Sequence, residues 1–149
     1  MPLDADVYRE AAHERAREAF EMYDTGHYAA AHYIAGLAVE CMLFACRIKS
    51  GGKLDAKHYL RKLWREAKFS DYLPKQRAAD AGAAVSTVIA RWLNNHRYRS
   101  DKELRHWLVD VGIARDQGSK DDPLKHSARL ITNAALEFVT LGEETWRQL

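Results

Sequence analysis

Residues 26–50, GHYAAAHYIAGLAVECMLFACRIKS, decide the fold. Tyr28, Ala31, Tyr33, Ile34, Leu37, Ala38, Cys41, Met42, Phe44, Ala45 and Ile48 make this the least polar stretch of the chain, and Glu40 is its only acid. A helix apolar around most of its circumference belongs at the centre of a bundle. The predicted helix spans about His27 to Lys49, and Gly36 lets a neighbouring helix approach its backbone closely.

Working outward, the preceding segment predicts a helix from about Asp4 to Tyr23, with Asp4 or Asp6 as cap. Its stripe is Val7, Ala11, Ala12, Ala16, Ala19, Phe20 and Tyr23. Asp24-Thr25-Gly26 stops it, because glycine takes a left-handed conformation at little cost. After the Ser50-Gly51-Gly52 loop, a third helix is expected over about Ala56 to Lys68, with Tyr59, Leu60, Leu63, Trp64 and Ala67 facing inward. Pro74 opens a fourth, about Lys75 to Leu93, with Ala79, Ala83, Val85, Val88, Ile89 and Trp92 as its stripe. Asn94-Asn95 ends it. Ser100 and Glu103 form a capping-box pattern for a short fifth helix to about Val111. Gly112 to Asp121 reads as polar loop. Asp122 and Pro123 then read as N-cap and first residue of a last helix to about Gln148. No run alternates polar and apolar residues with period two. The expectation is all-α, an up-and-down bundle of five or six helices in one domain covering 1–149.

The bulk numbers agree with that outline. The chain has 149 residues, 47% of them hydrophobic, with 3 prolines and 8 glycines. This is enough chain to bury a core without staples and too apolar for disorder. A formal net charge of +2 by itself predicts no polyanion partner. Cys41 and Cys46 sit five residues apart on one helix, roughly 7.5 Å of rise and on different faces, which disfavours a disulfide between them and suits a reducing compartment. The first twenty residues lack a basic-then-apolar signal pattern. A cytoplasmic location without membrane association is expected.

The segment Arg91-Trp92-Leu93-Asn94-Asn95-His96-Arg97-Tyr98-Arg99 holds the candidate chemistry. Arg91 and His96 have four residues between them. Histidine titrates near neutrality and suits proton abstraction, while a guanidinium offers a planar donor fork to phosphate. On an unbroken helix the two would point roughly 140° apart, so they converge only if the helix ends near Asn94. Arg91, Arg97, Arg99, Lys102, Arg105, His96 and His106 crowd the segment against Asp101 and Glu103 alone, which favours an anion. Trp92, Tyr98 and Trp107 interleave and are of a type that stacks on bases. The competing reading makes these aromatics core and the charges a solvated helix face. Lys57, His58, Arg61, Lys62 and Arg65 form a second basic face, read as ordinary helix surface. A carboxylate on so apolar a helix calls for a partner, and an ion pair of Glu40 with Arg97 or Arg91 is expected. No histidine, cysteine and carboxylate spacing reads as a ligand set and no Gly-rich phosphate loop follows a strand. Neither metal nor cofactor is expected.

Gly26-His27-Tyr28 through Tyr33, leading into Gly36-Leu37-Ala38-Val39-Glu40-Cys41-Met42-Leu43, resembles the second helix of HEPN domains. The helix before it, the Gly26 break and Arg91 to Tyr98 resemble that family too, over about Ala5 to Leu141. The resemblance implies a helical bundle, often a homodimer, connected with RNA or nucleotides. Many members are metal-independent endoribonucleases of prokaryotic toxin or defence systems, with an Arg–four-to-six–His motif that Arg91 and His96 match. Others lack that activity, and some of those accompany a separate nucleotidyltransferase protein; Trp92 with Arg97-Tyr98 looks like the Trp…Arg-Tyr signature of members not built around the catalytic motif. Three roles therefore stay open: cleavage by Arg91 and His96, ligand positioning by Trp92, Arg97, Tyr98 and Arg99 in a non-catalytic interaction module, or a structural dimer with no ligand of its own.

Overall fold

The computed structural model describes residues 3–53, 59–113 and 122–149. Among these the chain is an all-α bundle of six helices: α1 (Ala5–Asp24), α2 (Tyr28–Lys49), α3 (Leu60–Ala67), α4 (Lys75–Arg91), α5 (Asp101–Asp110) and α6 (Pro123–Gln148). No strand occurs among the described residues.

Each boundary has a local cause. Asp4 caps α1 by accepting the Val7 N–H at 3.0 Å. Gly26 turns the chain at φ 82°, where an L side chain would be strained, and returns it as α2. Ser100 caps α5 by accepting the Glu103 N–H at 3.2 Å. Asp122 stands before Pro123 as N-cap of α6, as expected, and its carboxylate is also gripped by Arg105 Nε and Nη2 at 2.6 and 2.7 Å. The first residues expected in the third helix lie partly outside the described residues; the described helix begins at Leu60 and ends at Ala67, where Lys68 turns left-handed at φ 50°.

The core is built on α2, as its composition requires. Ala31, Ala35, Ala38, Val39, Met42, Leu43 and Ala45 are fully buried against α1 and α6. Small residues on α1 (Ala12, Ala16, Ala19) let it lie close, and Gly142 of α6 seats the Met42 side chain. Phe69, Phe138 and Trp64 close the far end with ring centroids 5.2 to 6.0 Å apart. By length and composition α2 would cross a membrane, yet 61% of its apolar window is buried inside the bundle. Both cysteines are free, and burial pushes the thiols up to about 11 for Cys41 and about 12 for Cys46.

Three expected core positions are corrected. Val7, Phe20 and Tyr59 are 42%, 51% and 65% exposed. On α4 the buried set is Ala81, Ala84, Val85 and Val88, whereas Ala79 and Ala83 face solvent. Alanine is small enough to read equally well on either side of that helix.

Candidate functional site

The helix break that Arg91 and His96 need is present. α4 ends at Arg91, Trp92 and Leu93 are extended, and Asn94–Tyr98 form a short 3-10 turn. The expected end near Leu93 is thus two residues early. Trp92 leaves the helix because its indole lies across Gly36, where no side chain intervenes. Its Nε1–H donates to the Tyr33 carbonyl at 3.0 Å, and its ring stacks on Tyr33 at 5.9 Å. Trp92 is 6% exposed. Its expected role as a stacking platform gives way to a packing role: it pins the start of the turn to α2.

His96 folds back under the turn. Its Nδ1 accepts the Leu93 N–H at 3.2 Å, closing the turn as a side-chain cap. The neutral imidazole then carries its proton on Nε2, which is buried and has no hydrogen-bond partner among the described residues. The ring meets Trp107 edge-on at 4.6 Å and lies 5.8 Å from the ring of His32. Burial, then the charge of Arg99, pushes His96 down to about 4. His32 is fully buried, bonded through Nε2 to Ser127 Oγ at 2.9 Å, and pushed down to about 3 by burial, then by His96 and Arg91. His96 is thus a direct neighbour of His32, and the charge of Arg91 is felt at His32. In this arrangement, however, the one lone pair of His96 is engaged by backbone, and its ring is 3% exposed.

The remainder of the segment faces outward. Leu93 is 43% and Tyr98 73% exposed, and Asn94, Asn95, Arg97 and Arg99 are exposed with them. The Arg97 guanidinium lies 4.5 Å over the Tyr98 ring, a cation–π pair standing in solvent. It also reaches Tyr33, whose phenol burial pushes up and the Arg97 charge only partly offsets. Arg99 pairs with Glu103 at 3.7 Å.

The expected ion pair of Glu40 is corrected. Among the described residues Glu40 has no ion-pair partner; burial alone pushes its carboxyl up to about 7. Arg97 is engaged by the two tyrosines instead. A carboxyl that is half protonated near neutrality needs no buried cation to be tolerated.

Two hollows flank the extended Leu93–Asn94 step. One, of about 530 Å³, lies between the start of α3 and the end of α4 and is lined by Tyr59, Leu60, Arg61, Ile89, Trp92, Leu93 and Asn94. The other, of about 320 Å³, is lined by Leu93, Asn94, Asn95, Arg97 and Tyr98. Tyr59, Arg61 and Leu93 were not legible as site residues, because each fits an ordinary helix stripe or surface. His32 was equally hidden, a single polar letter inside the most apolar helix. Among the described residues no group of three or more histidine, cysteine, aspartate or glutamate side chains is placed to hold a metal ion.

The fold and the turn define an all-α bundle with an outward-facing arginine–tyrosine segment mounted on its central helix. No protein-family model, no curated protein and no solved structure matches the chain.

Proposed function

We propose that this chain is an HEPN-like helical module that binds single-stranded RNA through residues 93–99 and acts without cleaving it while the turn is closed. The observation that carries the reading is the sorting of side chains within that turn. Arg97, Tyr98, Arg99 and the two asparagines are presented to solvent, whereas His96 is turned inward and capped by backbone. Exposed arginines supply the electrostatic attraction of phosphates, and an exposed tyrosine carrying a guanidinium supplies a base-stacking surface.

Cleavage by Arg91 and His96 is the second reading, favoured by the helix break after Arg91 that their spacing requires. It requires the turn to open and release His96 Nδ1 from the Leu93 N–H. The family resemblance adds a homodimer and, for the non-catalytic reading, a nucleotidyltransferase-like protein as partner.

Fluorescence anisotropy with a labelled single-stranded RNA, run across a salt series with chelator present, tests the reading. Binding is expected to weaken about tenfold in Tyr98→Ala, a loss within the range of one base stacked on an aromatic ring. The probe is expected to stay intact. Absence of binding to any single-stranded RNA sinks the proposal. Cleavage in chelator that disappears in both Arg91→Ala and His96→Ala replaces it with the second reading.

A further inference from the structure

The larger hollow repeats the chemistry of the smaller one. Each presents one strongly exposed tyrosine, Tyr59 at 65% and Tyr98 at 73%, and each presents one exposed arginine, Arg61 and Arg97. Leu93 and Asn94 belong to both and form the wall between them. No carboxylate lines either hollow among the described residues. The larger one has an apolar base made of Leu60 and Trp92, each 6% exposed. At about 530 Å³ it lies within the ordinary size of a small-molecule site.

A tyrosine–arginine unit occurring twice about a narrow wall matches a ligand that itself repeats as planar ring and anion. We propose that the chain seats two consecutive bases of single-stranded RNA, one in each hollow, with the strand crossing Leu93–Asn94 and its phosphates directed at Arg61 and Arg97. This rests on the reading that residues 93–99 bind RNA and extends the site to α3. A planar base fits the tyrosine faces and the apolar floor. An acidic peptide would satisfy the arginines and leave both tyrosines unused, and a duplex keeps its bases stacked inside. The Asn94 amide, a donor and an acceptor on the shared wall, is placed to read the edge of a base in either hollow.

The test uses the full chain and a labelled ten-nucleotide single-stranded RNA, with unlabelled mono- and dinucleotides as competitors. Tyr59→Ala and Tyr98→Ala are each expected to weaken binding about tenfold, with Tyr59→Phe and Tyr98→Phe near wild type. Arg61→Ala and Arg97→Ala are each expected to lower the salt slope by about 0.7. The dinucleotide is expected to compete at least about tenfold better than the mononucleotide, an advantage lost in Tyr59→Ala. All four positions are exposed, and circular dichroism checks that each variant is folded. If Tyr98 and Arg97 variants weaken while Tyr59 and Arg61 variants bind as wild type, the two-base track is overturned and RNA binding by the turn stands. Equal competition by duplex RNA or by polyglutamate overturns base seating. No binding by wild type removes the functional reading and the track together.

Discussion

Gly36→Ala is the sharpest probe of the arrangement that positions the site. A Cβ at residue 36 would overlap the Nε1, Cδ1 and Cε2 atoms of Trp92. Carbon atoms in contact need about 3.5–4.0 Å, so the indole must retreat by more than about 1 Å. Overpacking of this kind costs about 1–3 kcal/mol. The retreat also breaks the Trp92 bond to the Tyr33 carbonyl, a further loss of about 1 kcal/mol. Alanine returns about 1 kcal/mol in helix propensity. The net expectation is about 1–3 kcal/mol of destabilisation, or about 3–9 °C in Tm for a domain of this size. Thermal unfolding followed by circular dichroism measures it, and a double-mutant cycle assigns the cause. In a Trp92→Ala background the added methyl has room, so Gly36→Ala becomes neutral or stabilising there. An unchanged or raised Tm in the single variant, or the same loss in both backgrounds, refutes the seating of Trp92 on Gly36. RNA affinity should fall with the single variant, since Leu93 and the turn follow Trp92 directly in the chain.

Two pH predictions have opposite signs. Glu40 has a folded pKa raised from 4.5 to about 7, so the stability it contributes is present below its unfolded value and lost as pH rises to about 7. Glu40→Gln should therefore stabilise by about 2 kcal/mol at pH 8, after discounting for remaining solvent contact, and far less at pH 5; equal effects at both pH values would contradict a half-buried carboxyl with no ion-pair partner among the described residues. His96 and His32 have folded pKa values lowered to about 4 and about 3, so their contribution is present above about 6.5 and lost as pH falls from there. Urea unfolding should show each histidine costing about 1–2 kcal/mol between pH 7 and pH 5. His96→Gln, whose side-chain carbonyl retains an acceptor for the Leu93 N–H, should reduce that drop; an unreduced drop in both His96→Gln and His32→Gln would show that neither ring is buried neutral.

The six helices were legible because their signals are local and agree with one another. Asp4, Gly26, Ser100 with Glu103, and Asp122-Pro123 punctuate the chain at positions fixed by backbone chemistry, and the apolar wrap of α2 states its central place without reference to any partner. Errors fell where a residue type carries little information about direction. Alanines on α4 read equally well inward or outward. Val7, Phe20 and Tyr59 follow helical spacing, but they stand at the edges of their stripes and stay exposed among the described residues.

The site was legible only as a segment. Composition marked Arg91 to Arg99 as basic and aromatic, and the asparagine pair marked a break. Which of its side chains turn inward depends on contacts made across the fold: Trp92 goes to Gly36, and His96 goes to His32, Trp107 and the Leu93 N–H. Those two inward residues hold the turn, and by doing so they leave Arg97 and Tyr98 outside. On the proposed reading, the histidine of the Arg-x4-His spacing anchors the turn instead of taking a proton: its hydrogen bond from the Leu93 N–H keeps the proposed binding surface in shape. Opening the turn to expose His96 would move Leu93 and Asn94, which line both hollows, so the proposed two-base binding and the alternative cleavage by His96 would oppose each other. Any variant that gains cleavage should lose affinity for the dinucleotide, and one that gained both would show that the imidazole reaches the strand by a route other than opening the turn.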